Sequence, residues 1–252
     1  MTVSSSDGIV YLVGAGPGAA DLITVRGRDL LSRADTIVHD SLIAMELLSH
    51  ARDGAEIIDV GKRGGNHKVR QEETNRLLVE KARAGKMVVR LKGGDPFLFG
   101  RGGEEAEILR AEGIEVHIVP GITSAISVPG LAGIPVTHRD LASTVTLVTG
   151  HEGAHKEKEI IDWSRLASLD GTIVLLMGMS NLRRNMTFLV EGGRDPSTPV
   201  AVIEKGATPD QRTVTGTLED IADVCEGEGI GSPAIIVVGD VVSLRERLGD
   251  LS

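Results

Sequence analysis

The stretch Lys92-Gly-Gly-Asp95-Pro-Phe-Leu-Phe-Gly100-Arg-Gly-Gly-Glu-Glu105 decides how the chain folds. An apolar run rich in β-branched residues, 87–91, leads into it, and an amphipathic run, 104–112, leads out. Between them five glycines, one proline and one aspartate stand where a strand must hand over to a helix. Gly93 and Gly94 allow close approach of the backbone to a ligand, or a positive φ. Asp95 sets a carboxylate at the carboxyl end of a predicted parallel strand, where open α/β sheets hold ligands. An ordinary strand–turn–helix corner with a capping Asp accounts for the same residues, so the neighbouring segments carry the decision.

Those neighbours repeat the pattern. Residues 9–13 form a short apolar run that ends in Gly14-Ala-Gly-Pro-Gly18. Helical spacing follows over 22–34, 42–51 and 71–84, with strand-like runs at 36–39, 56–60 and 116–119. Glu72 and Arg76 are four apart, and Gly85 supplies a helix stop. The β-α alternation predicts an α/β fold with a largely parallel sheet and helices on both faces. Pro129 should kink or end a helix over 123–132. The character changes near Pro135, which places a boundary between domains at 1–137 and 138–252. Beyond it strands are predicted at 144–149, 172–177, 200–204, 213–216 and 234–239. Helices fall at 163–169, 182–190 and 218–225, the last capped by Thr217.

Composition excludes several classes. Aromatic residues are 2% of the chain, too few for base-stacking platforms. Net charge is −9, against a general nucleic-acid partner. The single cysteine, Cys225, precludes an internal disulfide and fits a reducing compartment. No apolar run approaches the ~20 residues of a bilayer span, and the first residues lack a signal pattern. A cytoplasmic protein without membrane or nucleic-acid partners is expected. The seven histidines are scattered, and no metal-ligand box is legible, so no metal is expected.

Three constellations point to chemistry. Gly14-x-Gly16-x-x-Ala19 after the first strand, with Asp40 closing the second, matches a loose dinucleotide fingerprint; a nicotinamide dehydrogenase is therefore one reading. From Lys62 to Lys92 ten basic residues face three acidic ones, a local excess of seven in an acidic chain. Part of that excess is a solvated helix face, but Lys62, Arg63, His67, Lys68 and Arg70 start in a glycine loop and suit a small polyanionic substrate. Asp40 and Lys62 each follow a predicted strand at one rim of the sheet. There they could move protons, or serve as a helix cap and a surface ion pair.

Taken in order, Val13-Gly-Ala-Gly-Pro-Gly18, Gly61-Lys-Arg-Gly-Gly-Asn-His67 with Gln71 and Asn75, and Gly93-Gly-Asp-Pro-Phe-Leu-Phe-Gly-Arg-Gly-Gly-Glu-Glu105 form a specific set. Val119-Pro-Gly-Ile-Thr-Ser-Ala125, Ala132-Gly-Ile-Pro-Val-Thr-His-Arg139, Thr149-Gly-His151, Met177-Gly178, Gly206, Gln211-Arg212 and Pro233-Ala234 complete it. The set resembles the tetrapyrrole methylase superfamily, in its uroporphyrinogen-III C-methyltransferase branch, over nearly the whole chain. His39 and Leu176 stand where that family often has Tyr, Ala19 where an acid is frequent, and Pro129 where Ala is common.

The resemblance implies two α/β domains with largely parallel or mixed sheets and a ligand cleft between them, usually in a homodimer. It implies two methyl transfers from S-adenosyl-L-methionine to uroporphyrinogen III, giving precorrin-2 and S-adenosyl-L-homocysteine. By position Pro17, Gly93, Gly94, Asp95, Leu98, Thr123, Ser124, Met177 and Gly206 would bind the donor. Asp40 would accept a proton and Lys62 donate one. A tetrapyrrole with many carboxylate arms would engage Arg63, His67, Lys68, Arg101, His138 and Arg139. A different precorrin methyltransferase of the superfamily would share the donor residues and differ in acceptor.

Overall fold

The computed structural model describes residues 8–61, 71–150 and 161–252. The chain divides into two compact units, Met1–Thr123 and Ser124–Ser252.

The first unit carries β1 (Ile9–Gly14), α1 (Val25–Leu31), β2 (Thr36–His39), β3 (Glu56–Asp59), α2 (Gln71–Arg83), β4 (Met87–Lys92), α3 (Gly102–Ala111) and β5 (Glu115–Val119). The strands form one parallel sheet in the order β3-β2-β4-β1-β5. Burial on both faces explains why β1 and β4 read as nearly unbroken apolar runs. The period of two sorts their side chains. Val13, Ile37, Val89 and Leu91 join Leu30 and Leu31 of α1 on one face. Val10, Leu12, Val38 and Val88 join Leu78 of α2 and Leu109 of α3 on the other. Thr24 caps α1, its Oγ1 accepting from Gly27 N at 3.1 Å. The helix expected over 42–51 is a 3₁₀ helix, Met45–His50.

β1 and β4 are neighbours, yet the chain leaves β1 for the α1 face and β4 for the α3 face. Adjacent parallel strands that part in this way open a crevice at their carboxyl ends, which makes that rim the place to look for a site.

The second unit carries α4 (Ser124–Leu131), β6 (Val145–Thr149), α5 (Trp163–Ser168), β7 (Thr172–Leu176), α6 (Leu182–Glu191), β8 (Pro199–Glu204), β9 (Arg212–Thr217), α7 (Ile221–Glu228), β10 (Ala234–Val238) and α8 (Arg245–Leu248). Its sheet has the order β6-β7-β10-β8-β9 and is mixed: β6 and β7 are parallel, the other pairs antiparallel. Leu166, Leu189 and Ile221 of α5–α7 cover one face with Ile173, Val202 and Ile236. α4 packs with β7 and β10, which is why the division falls at Thr123/Ser124 and not at the change of character near Pro135. α4 runs two residues past Pro129 before it ends. α7 begins at Ile221, not at Leu218: Thr217 closes β9, and its N and Oγ1 donate to Asp220 Oδ1 at 2.6 and 3.0 Å.

Candidate active site

Three glycine-bearing loops meet at the carboxyl ends of β1, β4 and β5. Gly16 and Gly94 form an isolated bridge, with Gly94 N donating to Gly16 O at 2.7 Å and Gly16 N to Gly94 O at 3.3 Å. A Cβ on Gly14 would lie 2.5 Å from the Gly121 Cα and 2.6 Å from Gly94 O. These glycines are needed because backbone packs on backbone there. Gly94 also has φ +67°. Asp95 fastens the arrangement: Oδ1 accepts from Phe97 N at 2.8 Å and Oδ2 from Gly121 N at 3.0 Å. The expected pocket carboxylate is thus a tie between the β4–α3 and β5–α4 loops, with lone pairs left on each oxygen.

The dinucleotide fingerprint does not have the geometry it would need. Its pyrophosphate site requires a helix that opens on the third small residue. Here Ala20–Leu22 is a 3₁₀ turn and α1 begins only at Val25.

Behind the same rim lies a buried charge network. By alternation Arg90 and Lys92 share the face of Val88, toward α3. Gly102, Glu105 and Leu109 are the buried stripe of α3, at helical spacing. Arg90 and Lys92 are each 3% exposed, and Glu105 is fully buried. Glu105 Oε1 accepts from Arg90 Nε at 3.3 Å, Lys92 Nζ at 3.1 Å and Gln71 Nε2 at 2.9 Å. Gln71 Nε2 also reaches Asn75 Oδ1 at 3.1 Å. The Arg90 Nη2 donates to Asp40 Oδ1 at 2.5 Å, and Lys92 Nζ lies 4.0 Å from Asp40 Oδ2. Burial and then the nearby Arg90 charge push the Lys92 ammonium below its ordinary range, against the opposing pull of Glu105 and Asp40. Burying two cations is expensive unless each is paired and hydrogen-bonded, and breaking one such pair costs about 3–5 kcal/mol.

The sequence points to Asp40, and the structure gives it this unforeseen support. Along the sequence Arg90 and Lys92 belong to the basic segment, and Glu105 ends the glycine-rich motif. The signal was present in the alternation 88-90-92 and in the place of Glu105 on the stripe with Leu109.

The remaining expected residues fall as follows. Pro17, Leu98 and Thr123 are half-buried in the first unit. Gly93 lies against Leu42, whose carbonyl O would stand 3.0 Å from an added Cβ. Arg101 is exposed, has φ +59°, and holds Glu104 through Nη2 at 2.6 Å. In the second unit Ser124 opens α4, Met177 follows β7 with φ +55° and an exposed side chain, and Gly206 sits in the β8–β9 loop. His138 pairs with Ala142, and its Nδ1 accepts from Asp140 N at 3.2 Å; Arg139 is exposed. Lys62, Arg63, His67 and Lys68 lie outside the described residues. Among the described residues no cluster of His, Cys, Asp and Glu is suited to a metal ion, and no helix is long and apolar enough to cross a membrane.

Among the described residues, the non-glycine residues in the left-handed region are Phe99, Arg101, Met177, Lys205 and Ala207. Such conformations are costly and concentrate in working loops. All five occur in loops that contain an expected site residue: Leu98 and Arg101, Met177, and Gly206.

The family model described as Tetrapyrrole (Corrin/Porphyrin) Methylases matches residues 9–222. The chain is 54% identical over 248 residues to the S-adenosyl-L-methionine-dependent uroporphyrinogen III methyltransferase of Methanosarcina barkeri (strain Fusaro / DSM 804), covering 98% of this chain and 97% of that one. It is 51% identical over 240 residues to the uroporphyrinogen-III C-methyltransferase of Methanocaldococcus jannaschii, covering 95% and 98%. Among solved structures it is similar to uroporphyrin-III C-methyl transferase from Thermus thermophilus complexed with S-adenyl homocysteine. There the identity is 39% and the TM-score 0.80, covering 94% of this chain and 100% of the other.

Proposed function

Because the chain belongs to the tetrapyrrole (corrin/porphyrin) methylases, we propose that it is an S-adenosyl-methionine-dependent C-methyltransferase. It converts uroporphyrinogen III to precorrin-2 by two successive methylations. The observation that carries this reading is the 54% identity, over nearly the full length of both chains, to a methyltransferase of that name. The homodimer implied by the resemblance and the cytoplasmic setting expected from composition are proposed with it.

The residues fit a sulfonium nucleoside. Pro17 and Leu98 are half-buried and Met177 is exposed, so apolar surface is available to a base and to a methyl group. Gly93 and Gly94, just past β4, present main chain with no side chain of their own. Pro17, Gly93, Gly94, Asp95, Leu98 and Thr123 of the first unit, with Ser124, Met177 and Gly206 of the second, are proposed to bind the donor. S-adenosyl-methionine supplies an already activated methyl group, so the protein's work is mainly positioning. Methylation of an electron-rich pyrrole carbon leaves an iminium-type ring, and a proton must leave a neighbouring carbon. Asp40, 34% exposed and held by Arg90, is the proposed acceptor. Lys62 is the proposed proton donor. Arg63, His67, Lys68, Arg101, His138 and Arg139 are proposed to meet the substrate's carboxylate arms, a task that suits cations focused around one cleft.

A thermal-shift screen with S-adenosyl-homocysteine and NADH, followed by methyl transfer to a panel of tetrapyrroles, tests the reading. The expected result is a shift with S-adenosyl-homocysteine alone and methylation of uroporphyrinogen III before any other acceptor. A shift with NADH alone, or preference for a later precorrin, would overturn it.

A further inference from the structure

The buried half of the charge network is shut off from solvent. Glu105 is inaccessible and Arg90 and Lys92 nearly so, yet among the described residues the network reaches Asp40, a partly exposed carboxylate. A purely stabilising design could have filled these positions with apolar side chains at similar or lower free energy. Val88, two residues earlier on the same strand face, does so. The switch from apolar to ionic packing occurs where β4 reaches the rim.

We propose that Arg90 is a positioning residue for Asp40, with Glu105 as its anchor. This rests on the reading of Asp40 as the proton acceptor. The guanidinium is fixed on three sides: Nε donates to Glu105 Oε1 at 3.3 Å, Nη1 to Val38 O at 3.4 Å, and Nη2 to Asp40 Oδ1. Asp40 N continues the sheet ladder by donating to Leu91 O at 3.3 Å. Main chain and one carboxylate oxygen of Asp40 are therefore both tied to β4. Oδ2 is the other oxygen, 4.0 Å from Lys92 Nζ and so beyond hydrogen-bond reach of it. In the step itself a lone pair of Oδ2 takes the proton from the carbon beside the methylated ring. The released C–H electron pair neutralises the iminium. Arg90 stays protonated throughout and touches no reacting atom. A lysine in its place keeps the charge but cannot span Glu105, Val38 and Asp40 together, because it lacks the planar fork.

The test compares the parent with Arg90→Lys, Glu105→Gln and Asp40→Asn. It uses S-adenosyl-methionine and uroporphyrinogen III, with or without deuterium at the carbons that lose a proton. Arg90→Lys and Glu105→Gln are expected to bind S-adenosyl-homocysteine as the parent does. Their turnover should fall on the order of 10- to 100-fold, the cost of a small misplacement, with a larger deuterium isotope effect than the parent. That rise marks proton removal as the slowed step, which a general loss of structure would not produce. If Arg90→Lys does not fold, Glu105→Gln carries the comparison, since it keeps size and an acceptor oxygen. Parental turnover in both, beside a slowed Asp40→Asn, would overturn the inference and leave the acceptor reading standing. Slower turnover with an unchanged isotope effect would also overturn it. Parental turnover in Asp40→Asn would overturn the acceptor reading and the inference together.

Discussion

Asp35 is the last residue before β2, and it works across the sheet. Its Oδ2 accepts from Met87 N at 2.8 Å, where β4 begins, and its Oδ1 pairs with Arg52. The Met87 amide, and after it the Arg52 charge, hold the carboxyl below its ordinary 3.8, with burial opposing. A depressed carboxylate adds stability that is complete above the unfolded value and is lost as pH falls through the folded one. Asp35→Asn is therefore expected to lower stability at pH 7 by about 1–2 kcal/mol, and the difference should close as pH drops below 3.8. Urea midpoints of both proteins between pH 7 and 3 check this; a difference that does not depend on pH would refute it. Residue-level function was only partly legible. Asp40 stands out at the end of a strand, whereas Arg90 and Lys92 are read only as part of a basic segment and Glu105 as the end of a glycine-rich motif. Counting charge along a chain ignores the strand period, and that period is what turns Arg90 and Lys92 inward.

At the scale of elements, loops account for most of the site. Asp95 joins two of them through backbone amides, so Asp95→Ala removes the partners of Phe97 N and Gly121 N together. The Gly121 amide, left unpaired in a partly buried place, costs about 1–3 kcal/mol, whereas the exposed Phe97 amide can turn to water. The expected result is a weaker fit of S-adenosyl-homocysteine by calorimetry, and faster hydrogen exchange at Gly121, with the sheet amides unchanged. Unaltered affinity would remove this loop junction from the donor site. In the second unit Gly206 faces Val128 of α4 so closely that a Cβ would collide with the valine side chain. Gly206→Ala should cost about 1–3 kcal/mol, part of which Val128→Ala should restore; strict additivity in that cycle would deny the contact. The first sheet was legible because β-α alternation with glycine stops allows few arrangements. The second was less so. Placing β10 between β7 and β8 rests on long-range antiparallel pairing that no local pattern encodes. The position of α4 was hidden for the same reason: its sequence joins it to β5, and its packing joins it to β7 and β10.

For the whole molecule, charge and chemistry pull in one direction. A net charge of −9 repels a polyanionic substrate at long range, so attraction has to be local. Arg90 and Lys92 are spent inside the sheet, which leaves that task to exposed cations. Replacing Arg63 and Lys68 by Ala is expected to raise the KM for the tetrapyrrole and to flatten its salt dependence, with kcat little changed; an unaltered KM would return them to the solvated surface. The type of reaction was legible only through the family resemblance that the ordered motifs carry, not from the glycine loops themselves. Burial of the network was not, because it depends on how strands and helix meet. The most direct measurement of the central claim is the number of labelled methyl groups that the protein transfers from methyl-labelled S-adenosyl-methionine to each uroporphyrinogen III at completion. The account predicts two, added through a monomethylated intermediate; a tetrapyrrole that stays unlabelled would contradict it.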